Sequence, residues 1–259
     1  MDGQRQVVGR VEVGPFTQRV VEKAAWRGDG SPRSQATAND WERLLAWAES
    51  HSQFARFFTR LTTEQARQRD ATIAEIRAAW FLESLGSRIT SWEPAATNRL
   101  GEFEIQWPDS PPIFVEVKGP TWESELCEVE RDRRKWQPKV CDGDGLWTGG
   151  ASELEGAALK TMGKLAPDRP NLLVTVDDLF AVLVDRVDNP GVAEFLDKTE
   201  FAGLGGILMI DAKHFKSDSS GVDLKIRLEL NPRAKGTRWE LPSTAIQAIL
   251  GSPASADAQ

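Results

Sequence analysis

The stretch Ile113–Pro120, with the sequence I-F-V-E-V-K-G-P, is the most informative part of the 259-residue chain. Its apolar residues alternate with Glu116 and Lys118, which is the period-two pattern of a β-strand, and the Gly-Pro pair behind it ends the strand. The carboxylate and the ammonium therefore share one face. Because buried charges need a partner or a metal ion, this pair indicates a functional site. The alternative is an edge strand whose charged face lies in water, and the stretch alone leaves both open.

The composition sets limits on the class of protein. Hydrophobic residues make up 40% and charged residues 27% of the chain, as in ordinary globular domains. The net charge of −7 argues against a general nucleic-acid coat protein, but it allows an enzyme with metal-binding carboxylates. No apolar run is long enough to cross a membrane, and Met1–Arg10 lacks the apolar core of a signal peptide. With only Cys127 and Cys141, a cytoplasmic protein with free thiols and no membrane partner is expected.

Helices are predicted upstream of the strand. A capping box over residues 39–42 predicts an amphipathic helix, preceded by a flexible linker at residues 27–38. A second capping box opens a long helix from Thr62 to about Leu85. On this helix Glu75 falls within the arc of small and apolar residues, where a carboxylate needs a partner. Alternatively, Glu75 lies at the margin of that arc and reaches water.

A second strand, Glu102–Trp107, precedes Ile113–Lys118 and is joined to it by a short turn. Two strands so connected form an antiparallel hairpin. On the second strand Glu102 and Glu104 share one face. Further along the chain, strands alternate with helices, so we expect an α/β (α+β) fold with a central mixed sheet flanked by helices.

Two basic segments follow the hairpin. The run Arg131–Lys139 is the most basic stretch of the chain, and it suits either a phosphate-contacting surface or a solvated helix face. A helix beginning at Ser152 is predicted to carry Lys160 and Lys164.

The acids and the lysine suggest a specific chemistry. A hard cation such as Mg²⁺ takes oxygen ligands, which Glu102 and Glu116 on neighbouring strands can supply together with the backbone carbonyl of Val117. A lysine beside the metal, here Lys118, can orient or deprotonate water and neutralise charge on a phosphoryl oxygen. A further carboxylate from the helix, Glu75, could complete a second metal site. This arrangement suits phosphodiester hydrolysis.

In the order of these motifs the chain resembles the PD-(D/E)XK nuclease superfamily, which has the restriction-endonuclease-like fold. That family combines a helix bearing a Glu, a hairpin bearing an acid and then (D/E)-x-K, and a following helix–strand pair. Glu75 matches the helix acid, and Glu116 and Lys118 match the (D/E)-x-K pair. Lys160 or Lys164 falls where many members carry a Lys or Gln facing the site. The resemblance covers about residues 71–176.

One position departs from the family pattern. The first hairpin acid is usually Asp, whereas the aligned residue here is Glu102, which is one methylene longer. Glu104 has the same orientation and is a competing assignment, but it lies deeper in the strand, so we favour Glu102. The substitution leaves room for an inactive descendant that keeps the fold.

The resemblance implies a nuclease that depends on Mg²⁺ or Mn²⁺ and acts on nucleic acid, with DNA favoured over RNA. Its catalytic residues would be Glu75, Glu102, Glu116 and Lys118. Its metal ligands would be Glu102, Glu116 and the Val117 carbonyl, with Glu75 as a further candidate. The expected nucleic-acid contacts are Arg131, Arg133, Arg134, Lys135 and Lys139.

The implied organisation is an N-terminal helical extension (residues 1–62), a nuclease-like domain (63–251) and a flexible tail (252–259), and a homodimer is left open. Two alternatives remain. The chain could be a catalytically silent member of the family that binds nucleic acid or protein. It could also be a purely structural α/β domain in which E-V-K is a coincidence.

Overall fold

The computed structural model describes residues 6–8, 11–22, 32–63, 65–94, 100–119, 150–178, 184, 189–215 and 222–253. Its helices are α1 (Pro15–Val21), α2 (Pro32–Glu49), α3 (Phe54–Leu61), α4 (Ala66–Ser84), α5 (Gly150–Met162), α6 (Asn189–Leu196) and α7 (Ser243–Leu250). Its strands are β1 (Gln6–Val8), β2 (Val11–Val13), β3 (Arg88–Trp92), β4 (Phe103–Gln106), β5 (Ile113–Lys118), β6 (Asn171–Asp177), β7 (Gly206–Phe215) and β8 (Val222–Leu230). Within these residues no helix has the length and apolar character needed to cross a membrane.

The centre of the fold is a six-stranded sheet in the order β3-β4-β5-β6-β7-β8. Strands β3, β4 and β5 form an antiparallel meander. Strand β5 then pairs in parallel with β6, and β6 with β7, while β8 returns antiparallel to β7. The expected mixed sheet flanked by helices is therefore confirmed, and α4, the β4–β5 hairpin, α5 and β6 follow one another in the predicted order. Strands β1 and β2 form a separate antiparallel hairpin.

Helices cover both faces of this sheet. On one face α4 and α7 pack on alternate residues of the strands, among them Val115, Val117 and Val174. On the other face α5 and α6 pack on Leu173 and Met209. Burying each such side chain contributes about 1.5–3 kcal/mol, so the two apolar layers hold the helices against the sheet.

The N-terminal helices pack on the outer side of α4. Leu44 and Leu45 of α2, Phe57 of α3 and Ile73 and Ile76 of α4 belong to one buried cluster. Helix α4 therefore has an apolar surface toward the sheet and another toward α2 and α3. Glu75 lies on the surface toward the sheet, on the same arc as Ala78, Ala79 and Leu82.

Three expectations about the elements were wrong. Helix α2 begins at Pro32 and not at Asn39. Residues 32–38, which are the larger part of the linker expected at residues 27–38, are therefore helical. Proline suits the first position of a helix, and Ala36 and Ala38 are buried there. The long helix α4 begins at Ala66 and not at Thr62, and its N-cap residue Gln65 makes no side-chain capping hydrogen bond.

The third error concerns the lysines. Helix α5 ends at Met162, and Lys164 donates its backbone N–H to the Thr161 carbonyl at 2.8 Å in the following turn. Lys164 is therefore not a helical residue.

Candidate active site

The candidate site lies where β4 and β5 stop pairing. The last register pair is Phe103 with Val115, and the Glu102 N–H donates to the Val115 carbonyl at 3.3 Å. Strand β5 continues to Lys118, paired there with β6. The site residues of β5 are thus held by β6 on one side and adjoin the start of β4 on the other. We call the three carboxylates gathered at this point, Glu75, Glu102 and Glu116, the acid cleft.

Glu116 is the most deeply buried member of the acid cleft. Its side chain is fully buried. Its Oε1 accepts hydrogen bonds from the Nζ of Lys118 and, at 2.6 Å, from the Nζ of Lys164. Its Oε2 is buried and has no hydrogen-bond partner among the described residues. Because leaving a buried carboxylate oxygen without a partner is costly, this atom is where a bound cation is expected.

Glu102 lies across the Lys164 ammonium from Glu116. The distance from Lys164 Nζ to Glu102 Oε1 is 3.9 Å, so one ammonium contacts both carboxylates. Burial and the negative charge of Glu116 raise the pKa of Glu102, and the positive charges of Lys164 and Lys118 only partly offset this. Burial alone would lower the pKa of Lys164, but its hydrogen bond to Glu116 and the charges of both acids raise it. The two acids therefore share one electrostatic environment.

Glu75 reaches the acid cleft from α4. Its side chain is 3% exposed, and its Oε2 accepts a hydrogen bond of 2.7 Å from Nη1 of Arg60. Burial and the charge of Glu102 raise the pKa of Glu75 to about 7, despite the opposing effect of Arg60. The helix acid is thus close enough to the hairpin acid to interact with it. It is neither at the margin of the helix nor directed to water.

Other predicted site residues lie apart from these three acids. Glu104 accepts a hydrogen bond of 2.8 Å from Thr90 Oγ1, and its second oxygen accepts one from Arg169. It is thus occupied by β3 and by the segment before β6. Lys160 is exposed on α5, so of the two candidate lysines it is Lys164 that contacts the acids. The predicted nucleic-acid contacts lie outside the described residues, namely Arg131, Arg133, Arg134, Lys135 and Lys139.

Sequence reasoning missed Arg60. It lies in the last turn of α3, 15 residues before Glu75, and belongs to no short motif. The only signal was indirect: a carboxylate on the inner stripe of α4 requires a cation, and the preceding helix carries Arg56 and Arg60. Choosing among them requires the packing of α3 on α4.

The donors present suit a hard cation held by few protein ligands. In the part of the chain that the structure describes, no group of three or more His, Cys, Asp or Glu side chains is placed to hold one metal ion. A site made by Glu102, Glu116 and a backbone carbonyl has only two such side chains, and Mg²⁺ commonly keeps several waters.

The backbone of β5 offers a candidate for the third oxygen, the Val117 carbonyl. Successive residues of a strand direct their N–H and C=O groups to opposite sides. The Phe114 N–H donates toward the β6 side, to the Pro170 carbonyl, and the Val115 carbonyl accepts from Glu102 on the β4 side. By this alternation the Val117 carbonyl is directed to the β4 side, beyond the last register pair of the two strands.

The comparisons with known proteins yield little. No family model matches the chain, and no curated protein matches it. Among solved structures, one similar chain is Pyrococcus furiosus SfsA in complex with Ca²⁺. It is 22% identical, the match covers 62% of this chain, and the TM-score is 0.24. The chain spans only 61% of the length of that SfsA chain, and a similarity this low supports no inference about function.

Proposed function

We propose that the protein is a metal-dependent nuclease that hydrolyses phosphodiester bonds of nucleic acid, with DNA favoured over RNA. The observation that carries this proposal is the buried Oε2 of Glu116, which has no hydrogen-bond partner in the described part of the chain and lies near Glu102, with Lys118 on the same strand. Hard oxygen donors next to an ammonium are what hydrolysis of a phosphodiester with a divalent cation requires. The resemblance to the PD-(D/E)XK nucleases, stated from the order of the motifs, supports the same reaction.

The proposed roles follow from the contacts. Glu102, Glu116 and the Val117 carbonyl would hold Mg²⁺ or Mn²⁺. Glu75 would assist from α4 without joining them as a third carboxylate ligand, since no three such side chains among the described residues are placed to hold one ion. When bound, the cation would polarise a phosphoryl oxygen and lower the pKa of a coordinated water. Lys118 would orient the attacking water and neutralise charge that develops on the phosphorus oxygens as the bond to the leaving oxygen breaks.

In this scheme Lys164 positions Glu116 and Glu102 and does not contact the substrate. Its Nζ contacts both carboxylates, so it fixes their separation and limits their repulsion. Positioning by a neighbour of the ligands is a usual feature of metal sites.

A second function has one observation in its favour. The Lys164 ammonium already lies between Glu102 and Glu116, where it neutralises part of their charge without a metal ion. A catalytically inactive protein that binds nucleic acid or protein through this fold would keep such an arrangement. The Glu at position 102, in place of the usual Asp of the resembled family, agrees with this alternative.

A cleavage assay on Lys118→Met separates the two functions. Wild-type protein should first be screened with Mg²⁺ or Mn²⁺ on single-stranded, double-stranded and branched substrates. Methionine keeps the length of the side chain but removes its charge, so cleavage should fall about a hundredfold or more. The matched control is Lys160→Met, on the exposed face of α5, which should cut like the parent. Equal rates for Lys118→Met and the parent would exclude a catalytic role for this lysine, and a wild type that cuts nothing would favour the binding module.

A further inference from the structure

Helix α3 presents two guanidinium groups to the acid cleft. Arg60 donates to Glu75, and Arg56, one turn earlier on the same face of the helix, pairs with Glu93. The Glu93 N–H in turn donates to the Glu102 carbonyl at 2.9 Å. Both arginines are therefore tied to residues that form or adjoin the acid cleft.

Among the described residues, these contacts engage only part of each guanidinium. The Arg60 side chain is 22% exposed although Glu75 beneath it is only 3% exposed, and the Arg56 side chain is 48% exposed. Of the Arg60 nitrogens, Nη1 has the described hydrogen bond. A guanidinium has five N–H donors in a planar fork, so Arg60 can contact Glu75 and a second anion together.

Arg56 and Arg60 are placed to attract an anion that enters the acid cleft. The positive charges of Arg60 and Arg56 both act on Glu75, where they oppose the rise in pKa that burial causes. Lys118 and Lys164 lie at Glu116, so the arginines extend positive charge to the opposite, α4 side of the acids. Positive charge on both sides of the three carboxylates reduces the repulsion that a phosphodiester meets there.

Glu93 shows that the arrangement is held in place. It has a φ of 51°, in the left-handed region that a non-glycine residue rarely adopts. Such a conformation persists where surrounding contacts maintain it, and here these include its ion pair with Arg56 and its bond to Glu102.

We propose that Arg60, assisted by Arg56, binds a backbone phosphate of the nucleic-acid strand, so that α3 forms one wall of the substrate site. This inference rests on the proposed function and deepens it, because it adds a substrate-binding surface outside the segment with the sequence motifs. Arg60 would exchange part of its interaction with Glu75 for the phosphate, since bidentate pairing of guanidinium with phosphate is strong and geometrically specific. The contact carries no base specificity.

The test measures oligonucleotide binding in EDTA, where no cleavage can occur. Fluorescently labelled single-stranded and duplex oligonucleotides are titrated with wild type, Arg60→Gln and Arg88→Gln across a range of salt concentrations. Arg88 is the matched control, because it lies at the far end of β3 and bonds only to Gln106 among the described residues. Each phosphate contact contributes about 0.7 to 0.9 to the salt slope, so Arg60→Gln should reduce the slope by about one and the control should not.

A second variant distinguishes a substrate role from a structural one. Glutamine at position 60 can still donate to Glu75, so Arg60→Gln should fold, and melting curves verify this. Glu75→Gln releases Arg60 and removes a repelling charge, so it should bind the oligonucleotide about twofold to tenfold more tightly than wild type. A purely structural Arg60 predicts an unchanged slope in Arg60→Gln. It also predicts that the gain of Glu75→Gln, then due to the lost repulsion alone, is equally large when Arg60→Gln is combined with it. Either result would overturn the inference.

Failure of this inference is distinct from failure of the proposed function. If wild type cuts nucleic acid and Lys118→Met does not, but Arg60→Gln keeps the wild-type salt slope, only the role of α3 is rejected. If wild type neither binds nor cuts any substrate of the panel, both are rejected.

Discussion

Two buried ionic clusters lie on the same helix, and they differ in what burial does to them. Arg77 and Glu75 are two residues apart on α4, and both are almost completely buried. Arg77 lies between Asp40 of α2 and Asp178 at the end of β6, and we call these three residues the Arg77 network. Glu75 belongs to the acid cleft. The one helix thus carries a buried cation and a buried anion.

In the Arg77 network, pairing prevails over burial. The guanidinium donates from Nη2 to Asp40 Oδ2 at 2.6 Å and from Nε to Asp178 Oδ1 at 2.7 Å. Burial alone would lower the pKa of Arg77, but the two carboxylates raise it above its ordinary value. The guanidinium is thus paired with two carboxylates inside the fold, although Arg77 Nη1 and Asp178 Oδ2 are buried without a hydrogen-bond partner among the described residues. Its role is to connect α2, α4 and the end of β6.

In the acid cleft, burial prevails over pairing. The pKa values of Glu75 and Glu102 are raised in the direction that burial dictates, although Arg60, Lys118 and Lys164 oppose it. Carboxylates so poorly compensated are expected at sites that bind a cation or handle a proton. Both pKa values are raised, but the shift favours the charged form of Arg77 and the neutral form of Glu75. The comparison teaches that the favoured form separates a structural ion pair from a candidate functional one, even two residues apart.

The largest expected effect is on stability in the Arg77 network. Arg77→Met should destabilise the fold by about 3–5 kcal/mol, because it leaves two buried carboxylates without their shared cation. Its counterpart in the acid cleft, Arg60→Met, should cost about 1 kcal/mol or less, since Glu75 can take up a proton instead. Urea unfolding at neutral pH measures both. Similar losses for the two variants would erase the distinction between the clusters.

An intermediate effect is expected in the pH dependence of stability. The folded pKa of Glu75, about 7, lies above its ordinary value of 4.5, so between these values the folded state binds a proton that the unfolded chain has released. Stability should therefore fall as pH rises through this window, by up to about 3 kcal/mol. Without metal, Glu75→Gln should match wild type near pH 4.5 and exceed it near pH 8. Parallel stability curves for the two proteins would show that Glu75 does not titrate in this range.

The smallest expected effect is on the stability of Glu116→Gln without metal. Lys118 and Lys164 are both partly exposed, so they can turn to water when the carboxylate is lost. The change in unfolding free energy should be less than about 1 kcal/mol, in contrast to Arg77→Met. Thermal melts in EDTA provide the measurement. A loss of several kcal/mol would mean that Glu116 is a structural partner of the lysines.

The fold was predictable where the sequence pattern was local. The strand Ile113–Lys118 has the predicted bounds, because alternation acts over a few residues. The long helix ends as expected before Gly86, whose φ of 92° suits glycine. The start of α2 was mispredicted, because the local sequence there is rich in turn-forming residues and does not show that Ala36 and Ala38 are buried by tertiary contacts.

The candidate site was predictable to the same extent. The E-V-K motif and the arc of α4 identified residues that the structure brings into one cluster. Arg60 and the choice between Lys160 and Lys164 depend on how α3 packs and where α5 ends, which are tertiary properties. The hydrogen bond from Arg169 to Glu104, 65 residues away, likewise cannot be predicted from the local sequence.

The central claim, that the acid cleft binds a divalent cation through Glu102 and Glu116, is tested most directly by titrating Mn²⁺ and measuring the free ion by electron paramagnetic resonance. Wild type should bind Mn²⁺, and Glu102→Gln and Glu116→Gln should each bind on the order of tenfold more weakly or worse, since even outer-shell changes cost this much. Glu104→Gln, whose carboxylate is occupied by Arg169 and Thr90, should bind like wild type. Absence of binding in wild type, or equal binding by wild type and Glu116→Gln, would contradict the claim.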